Sequence, residues 1–74
     1  MTQPETPLKM AQRHVAESEA RCTRQAEILR EMITDKHPHA AEVAQRLLAT
    51  LEGTLDLMRE HLRIEEKQAA GGAA

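Results

Sequence analysis

The chain has no phenylalanine, tyrosine or tryptophan. Its core must therefore be built from Leu, Ile, Val, Met and Ala, whose side chains bring at most about 1.5–3 kcal/mol each when buried. Cys22 is the single cysteine, which excludes an intrachain disulfide and suits a reducing compartment. A dominant charge sign is missing too. Ten Lys and Arg stand against twelve Asp and Glu, for a net charge of −2. They are mixed along the chain with no basic block to follow a phosphate backbone, so nucleic acid is not an expected partner. No apolar run approaches the roughly 20 residues that span a bilayer, and the start MTQPETPLKMAQ lacks the basic and apolar regions of a secretory signal. The expectation is a cytoplasmic protein with no membrane partner. No Gly-rich phosphate loop, His-Glu-x-x-His, Cys-x-x-Cys or nucleophile elbow occurs, so neither enzyme activity nor a cofactor is expected.

What the sequence does contain is helical periodicity, strongest over residues 43–64. Leu48, Leu51, Leu55, Met58 and Leu62 step by alternating threes and fours, the spacing of a packed helical seam. A second row runs beside it: Val43, Leu47, Leu57 and Ile64, with Thr50, Thr54 and His61 in the gaps. Together the rows make an apolar arc about 200° wide, where one neighbour needs only a little over 100°. This helix calls for more than one partner.

In chain order, residues 1–5 are polar and expected to be loosely attached. Thr6 followed by Pro7 is a helix start, because threonine can accept from free N–H groups of the first turn and proline there loses no needed bond. A first helix is expected over 7–35. Its stripe is Leu8, Ala11, Val15, Cys22, Ala26, Leu29 and Ile33, with Met32 at one edge. Arg13, Glu17, Arg21, Arg24, Glu27, Arg30 and Glu31 lie opposite as a solvated face, Glu17 and Arg21 forming an i,i+4 pair. Pro38 forces His37 out of the helical region, giving a turn at 36–38 and a second helix over 38–67. Residues 68–74 lack apolar periodicity and carry two glycines, so a disordered tail is expected there. Gly53 is an irregularity inside the second helix, at the edge of its apolar arc.

So short a link makes the helices antiparallel neighbours. The fold class is all-α: a two-helix antiparallel hairpin, dimerising into a four-helix bundle of coiled-coil type, because a 74-residue chain without staples buries too little surface alone. Leu47, Leu51, Leu55, Met58 and Leu62 are expected to be central to the dimer. Folding the hairpin about residue 37 sets His14 level with His61, Cys22 with Thr54, Gln25 with Thr50 and Met32 with Val43. Ser18, Gln25, Thr50 and Thr54 then form a polar seam that penalises slipped registers.

Four histidines raise the question of metal. The candidates are His14 with Glu17 and His61 with Glu65, each pair sharing a helix face. No histidine has glutamate three residues before it, as the di-iron bundle pattern requires. The reading is therefore no metal site, with His14 and His61 as interhelical or rim residues. A metal- or small-ligand-binding bundle using these two is the alternative to the favoured function, a non-enzymatic protein–protein interaction module of regulatory kind.

Four segments carry a resemblance: His14-Val15-Ala16-Glu17, Arg24-Gln25-x-Glu27-Ile28, Leu47-Leu48-Ala49-Thr50-Leu51-Glu52-x-Thr54 and His61-Leu62. Across residues 11–65 the chain resembles a group of short, uncharacterised α-proteobacterial helical-hairpin proteins. The resemblance implies the hairpin fold and a bacterial origin, and brings no activity with it. In that group the turn often reads Gly-His-Asp-Thr, with the Asp able to cap the second helix. This chain has Lys36-His37-Pro38-His39 instead, and Leu51 stands where an aromatic is often found.

Overall fold

Thr6 opens the first helix from an extended conformation (φ −72°, ψ 157°), its hydroxyl oxygen accepting from the Lys9 N–H at 3.1 Å, with Pro7 in the first helical position. The computed structural model describes residues 4–72 and contains two helices, α1 (Pro7–Thr34) and α2 (Pro38–Gly72), with no strand among the described residues. The Thr6-Pro7 start is as read from the sequence, and α1 ends one residue earlier than expected.

The end of α1 is defined by Lys36, which takes a left-handed conformation with φ 59°. This reverses the chain so that the His37 N–H donates to the Met32 carbonyl at 2.9 Å and the Lys36 N–H to the Ile33 carbonyl at 3.2 Å. These are the two bonds of a Schellman C-cap, which satisfies carbonyls that the last turn leaves free. The His37 carbonyl then accepts from the Ala41 N–H at 2.8 Å, and α2 begins with Pro38 in its first position. Only residues 35–37 separate the helices.

The helices pack antiparallel: Leu29 and Met32 neighbour Pro38 and Ala41 near the turn, while Ser18 and Arg21 neighbour Thr54 and Met58 farther along. Half-buried or buried positions recur by threes and fours on both. On α1 the line runs through Leu8, Ala11, Val15, Ser18, Cys22, Gln25, Leu29 and Met32, with His14, Glu17, Ala26 and Ile28 half-buried beside it; on α2 it is Ala41, Ala44, Leu48, Leu51, Leu55, Met58, Leu62 and Glu65. This strict alternation is a heptad repeat, the signature of two helices sharing one seam. It corrects the stripe read for α1, since Ser18 and Gln25 are buried and Ile33 is 63% exposed. A seam that repeats every seven residues includes Met32 and turns Ile33, about 100° farther round, outward.

The far end of α2 also differs from expectation. The helix continues through 68–72, the larger part of the expected tail, and residues 73 and 74 lie outside the described residues. Once a helix is under way each further residue adds a bond, and Ala69 and Ala70 are strong helix formers.

The core is thin. Among the described residues Ala11, Ala44 and Leu55 are the buried apolar ones and Ser18 and Gln25 the buried polar ones, and no large side chain is fully enclosed. The accessible surface is 5816 Å², against about 4,600 Å² for an ordinary folded monomer of this mass. The radius of gyration is 16.8 Å and the extents are 56 × 28 × 13 Å, so the hairpin is a plate one helix thick.

Candidate interaction face

The second row of α2 faces away from α1. Val43 is 51% exposed, Leu47 48%, Leu57 67% and Ile64 45%, with Thr50, Thr54 and His61 exposed between them. Together the seven positions step by alternating fours and threes from Val43 to Ile64. They form a second heptad seam about 100° round from the first.

The polar members of this row are already bonded within their own helix. The Thr50 hydroxyl donates to the Arg46 carbonyl and the Thr54 hydroxyl to the Thr50 carbonyl, both at 3.2 Å. Covering these threonines would strand no donor, and the bonded hydroxyls leave their methyl groups for packing. The His61 ring lies 3.2 Å from Glu65 through Nε2.

The expected polar seam is therefore divided. Ser18 and Gln25 are buried between the helices, whereas Thr50 and Thr54 are exposed. Gln25 donates through Nε2 to the Ala44 carbonyl at 2.9 Å, replacing the layer expected with Thr50. A backbone carbonyl is a partner that side-chain matching does not reveal. No buried side-chain polar atom lacks a partner among the described residues.

The five residues expected at the dimer centre divide as well. Leu55 is buried and Leu51, Met58 and Leu62 are half-buried in the hairpin's own seam, while Leu47 lies on the outward row. Leu51 and Met58 sit at the margin between the two rows.

His14, Glu17, Ser18 and Arg21 of α1 share one broad face of the plate with Thr54 and Met58, around a shallow groove of about 220 Å³. Glu17 is held at 2.6 Å by Arg13 and approached at 3.9 Å by Arg21, which delivers the expected i,i+4 pair. Glu65 is engaged with His61. Among the described residues no three of His, Cys, Asp and Glu gather where a metal ion could be held, so the His14, Glu17, His61 and Glu65 set is not assembled within one hairpin. Cys22 is half-buried in the seam.

Two further features complete the surface. On the other broad face, next to the turn, Leu29, Met32, Ile33, Pro38 and Ala41 line a groove of about 510 Å³ rimmed by Glu42 and Gln45. At the open end, both carboxylate oxygens of Glu5 accept from Arg13 at 2.9 Å. That bond holds the Glu5 carboxyl below its ordinary range and raises Arg13 further. Arg63 similarly lowers Glu60. No described helix is long and apolar enough to cross a membrane.

No protein-family profile matches the chain, and no curated protein or solved structure is significantly similar to it.

Proposed function

We propose that this chain is a non-enzymatic protein–protein interaction module that works as a homodimer, two hairpins stacked by their broad faces into a four-helix bundle. The outward row of α2 is the observation that carries this reading. Four large apolar side chains on one heptad seam stand about half exposed or more, a pattern that marks an association surface. The surface area points the same way: the hairpin exposes 5816 Å², about 1,200 Å² above the expectation for its mass. Burying that excess on two chains would cover about 2,400 Å², within the roughly 2,000–5,000 Å² of obligate homodimers. Leu47 belongs to this contact directly, and Leu51 and Met58 from its margin. The lone Cys22 thiol supports a reducing, cytoplasmic setting. A regulatory role follows the same logic, because a hairpin that pairs through one face can exchange its twin for a helix of a larger protein.

Sedimentation equilibrium or light scattering at micromolar concentration tests the reading. The expected mass is twice the 8.3 kDa of the chain. A stably folded monomer at that concentration would overturn it.

A further inference from the structure

We infer that the two copies meet through antiparallel α2 helices, related by a two-fold axis level with Gly53. The inference rests on the self-association proposed above and adds the face, the direction and the axis.

A two-fold contact must be its own complement. The outward row satisfies this about its midpoint: Val43 and Leu47 lie on one side, Leu57 and Ile64 on the other, and the back-bonded threonines sit between. Turning one copy through 180° brings the Val43 end of each helix against the partner's Ile64 end.

The flank of the row decides the direction. Arg46, Gly53 and Glu60 are spaced by seven and so occupy one position of the repeat along one edge. In an antiparallel pair, residues at one flanking position face each other across the axis. With the axis at Gly53, Arg46 of each copy lies level with the partner's Glu60, and opposite charges meet twice. A parallel pair would bring that edge against the opposite flank of the partner, setting Glu60 beside the partner's Glu65 and leaving Arg46 opposite the apolar Leu51. Like charges brought together disfavour that arrangement.

Gly53 itself supports the placement. A Cβ built on it meets nothing within 4 Å, so the hairpin's own packing does not require glycine at a position where glycine disfavours helix. On the axis it would oppose itself, where the helices approach closely and a missing side chain helps. Because the Thr50 and Thr54 hydroxyls are satisfied internally, the centre of this contact can be dry.

Cysteine cross-linking in the full chain carrying Cys22→Ser tests the geometry. Thr54→Cys, beside the axis, is expected to give a covalent dimer on oxidation. Val43→Cys and Ile64→Cys alone are expected to give none, since each then lies about 30 Å from its copy at 1.5 Å per residue. Mixing these two proteins should yield a cross-linked heterodimer. Sedimentation of the reduced variants shows whether each remains dimeric. Cross-linking by all three single variants would mean parallel helices and overturn the inference while keeping the homodimer. A dimer in which Thr54→Cys does not cross-link would place the contact on another face, with the same consequence. A folded monomer would overturn both the homodimer and its geometry.

Discussion

Gln25 donates to the carbonyl oxygen of Ala44 at 2.9 Å, and among the described residues this is the one side-chain hydrogen bond that joins α1 to α2. Apart from Glu65 at the open end, it lies in a seam of apolar and small side chains, so its effect should show more in register than in stability. Gln25→Leu, which removes the polar group and keeps the volume, is expected to change stability by less than about 1 kcal/mol. Gln25→Glu is expected to destabilise the protein at pH 7, because a buried carboxylate would face a carbonyl oxygen. That new carboxyl would have a folded pKa above its unfolded value, so its protonated form would be favoured by folding. Stability should be recovered below the unfolded value of about 4.3 and lost as pH rises through the folded one. Urea melts from pH 3.5 to 7 check both variants.

Lys36 occupies the left-handed cap of α1 with φ 59°, a conformation that costs an ordinary L-residue about 1–2 kcal/mol and glycine almost nothing. Lys36→Gly should therefore raise stability by about 0.5–1 kcal/mol, after glycine's greater freedom in the unfolded chain is counted. Denaturant melts at one fixed protein concentration measure it. A decrease would mean that the lysine side chain contributes more than the cap strain costs.

Leu55 and Leu57 stand two residues apart in α2, one 8% and the other 67% exposed within the hairpin. Leu55→Ala is expected to cost about 2–4 kcal/mol whatever the oligomeric state. Leu57→Ala would cost little in a lone hairpin, so a loss of more than about 1 kcal/mol, together with a lower mass in sedimentation, would report burial in the dimer. Equal mass and unchanged stability would remove Leu57 from the contact.

Glu5 ties the extended segment before α1 to Arg13 through two bonds of 2.9 Å, and Arg13 in turn reaches Glu17 at 2.6 Å. Since the hydrogen bond from Arg13 lowers the Glu5 pKa below 4.5, the folded state binds this proton less readily than the unfolded chain. Its contribution is present above the unfolded value and is lost as pH falls through the folded one. Glu5→Gln should therefore lower the neutral plateau of a melting-temperature profile slightly and flatten its acid limb, the two profiles converging as pH falls below 4.5. Because the pair is exposed, added salt should weaken the difference.

The features legible in the sequence were those governed by period and by local backbone rules. The seam of α2, the Thr6-Pro7 start and the break before Pro38 follow from spacing, capping and the restriction proline imposes, and the structure contains all three. Ser18 and Gln25 are legible as a polar seam but fall outside the apolar stripe, which passes through Ala26, half-buried in the structure, and Ile33, exposed in it. Yet Gln25 is buried by virtue of position and satisfied by a backbone carbonyl. Thr50 and Thr54 looked like partners for α1. Their hydroxyls instead bond to their own helix, a choice set by side-chain rotation and invisible to residue spacing. The left-handed Lys36 gave no compositional signal, since the glycine usual at such a cap is absent.

Residues 35–37 close one end of the plate, and Pro7 lies at the other, the end from which α2 runs on to Gly72. Tension applied between Pro7 and Gly72 would therefore act across the seam and not along it. The heptad layers would be loaded singly, beginning with Leu8 and Leu62 and moving toward the turn, so the hairpin would open like a zipper at low force. Pulling along the long axis through residues near the turn and near Pro7 would instead load many layers together. The same seam would then resist as a shear joint, with mechanical strength set by the direction of pull.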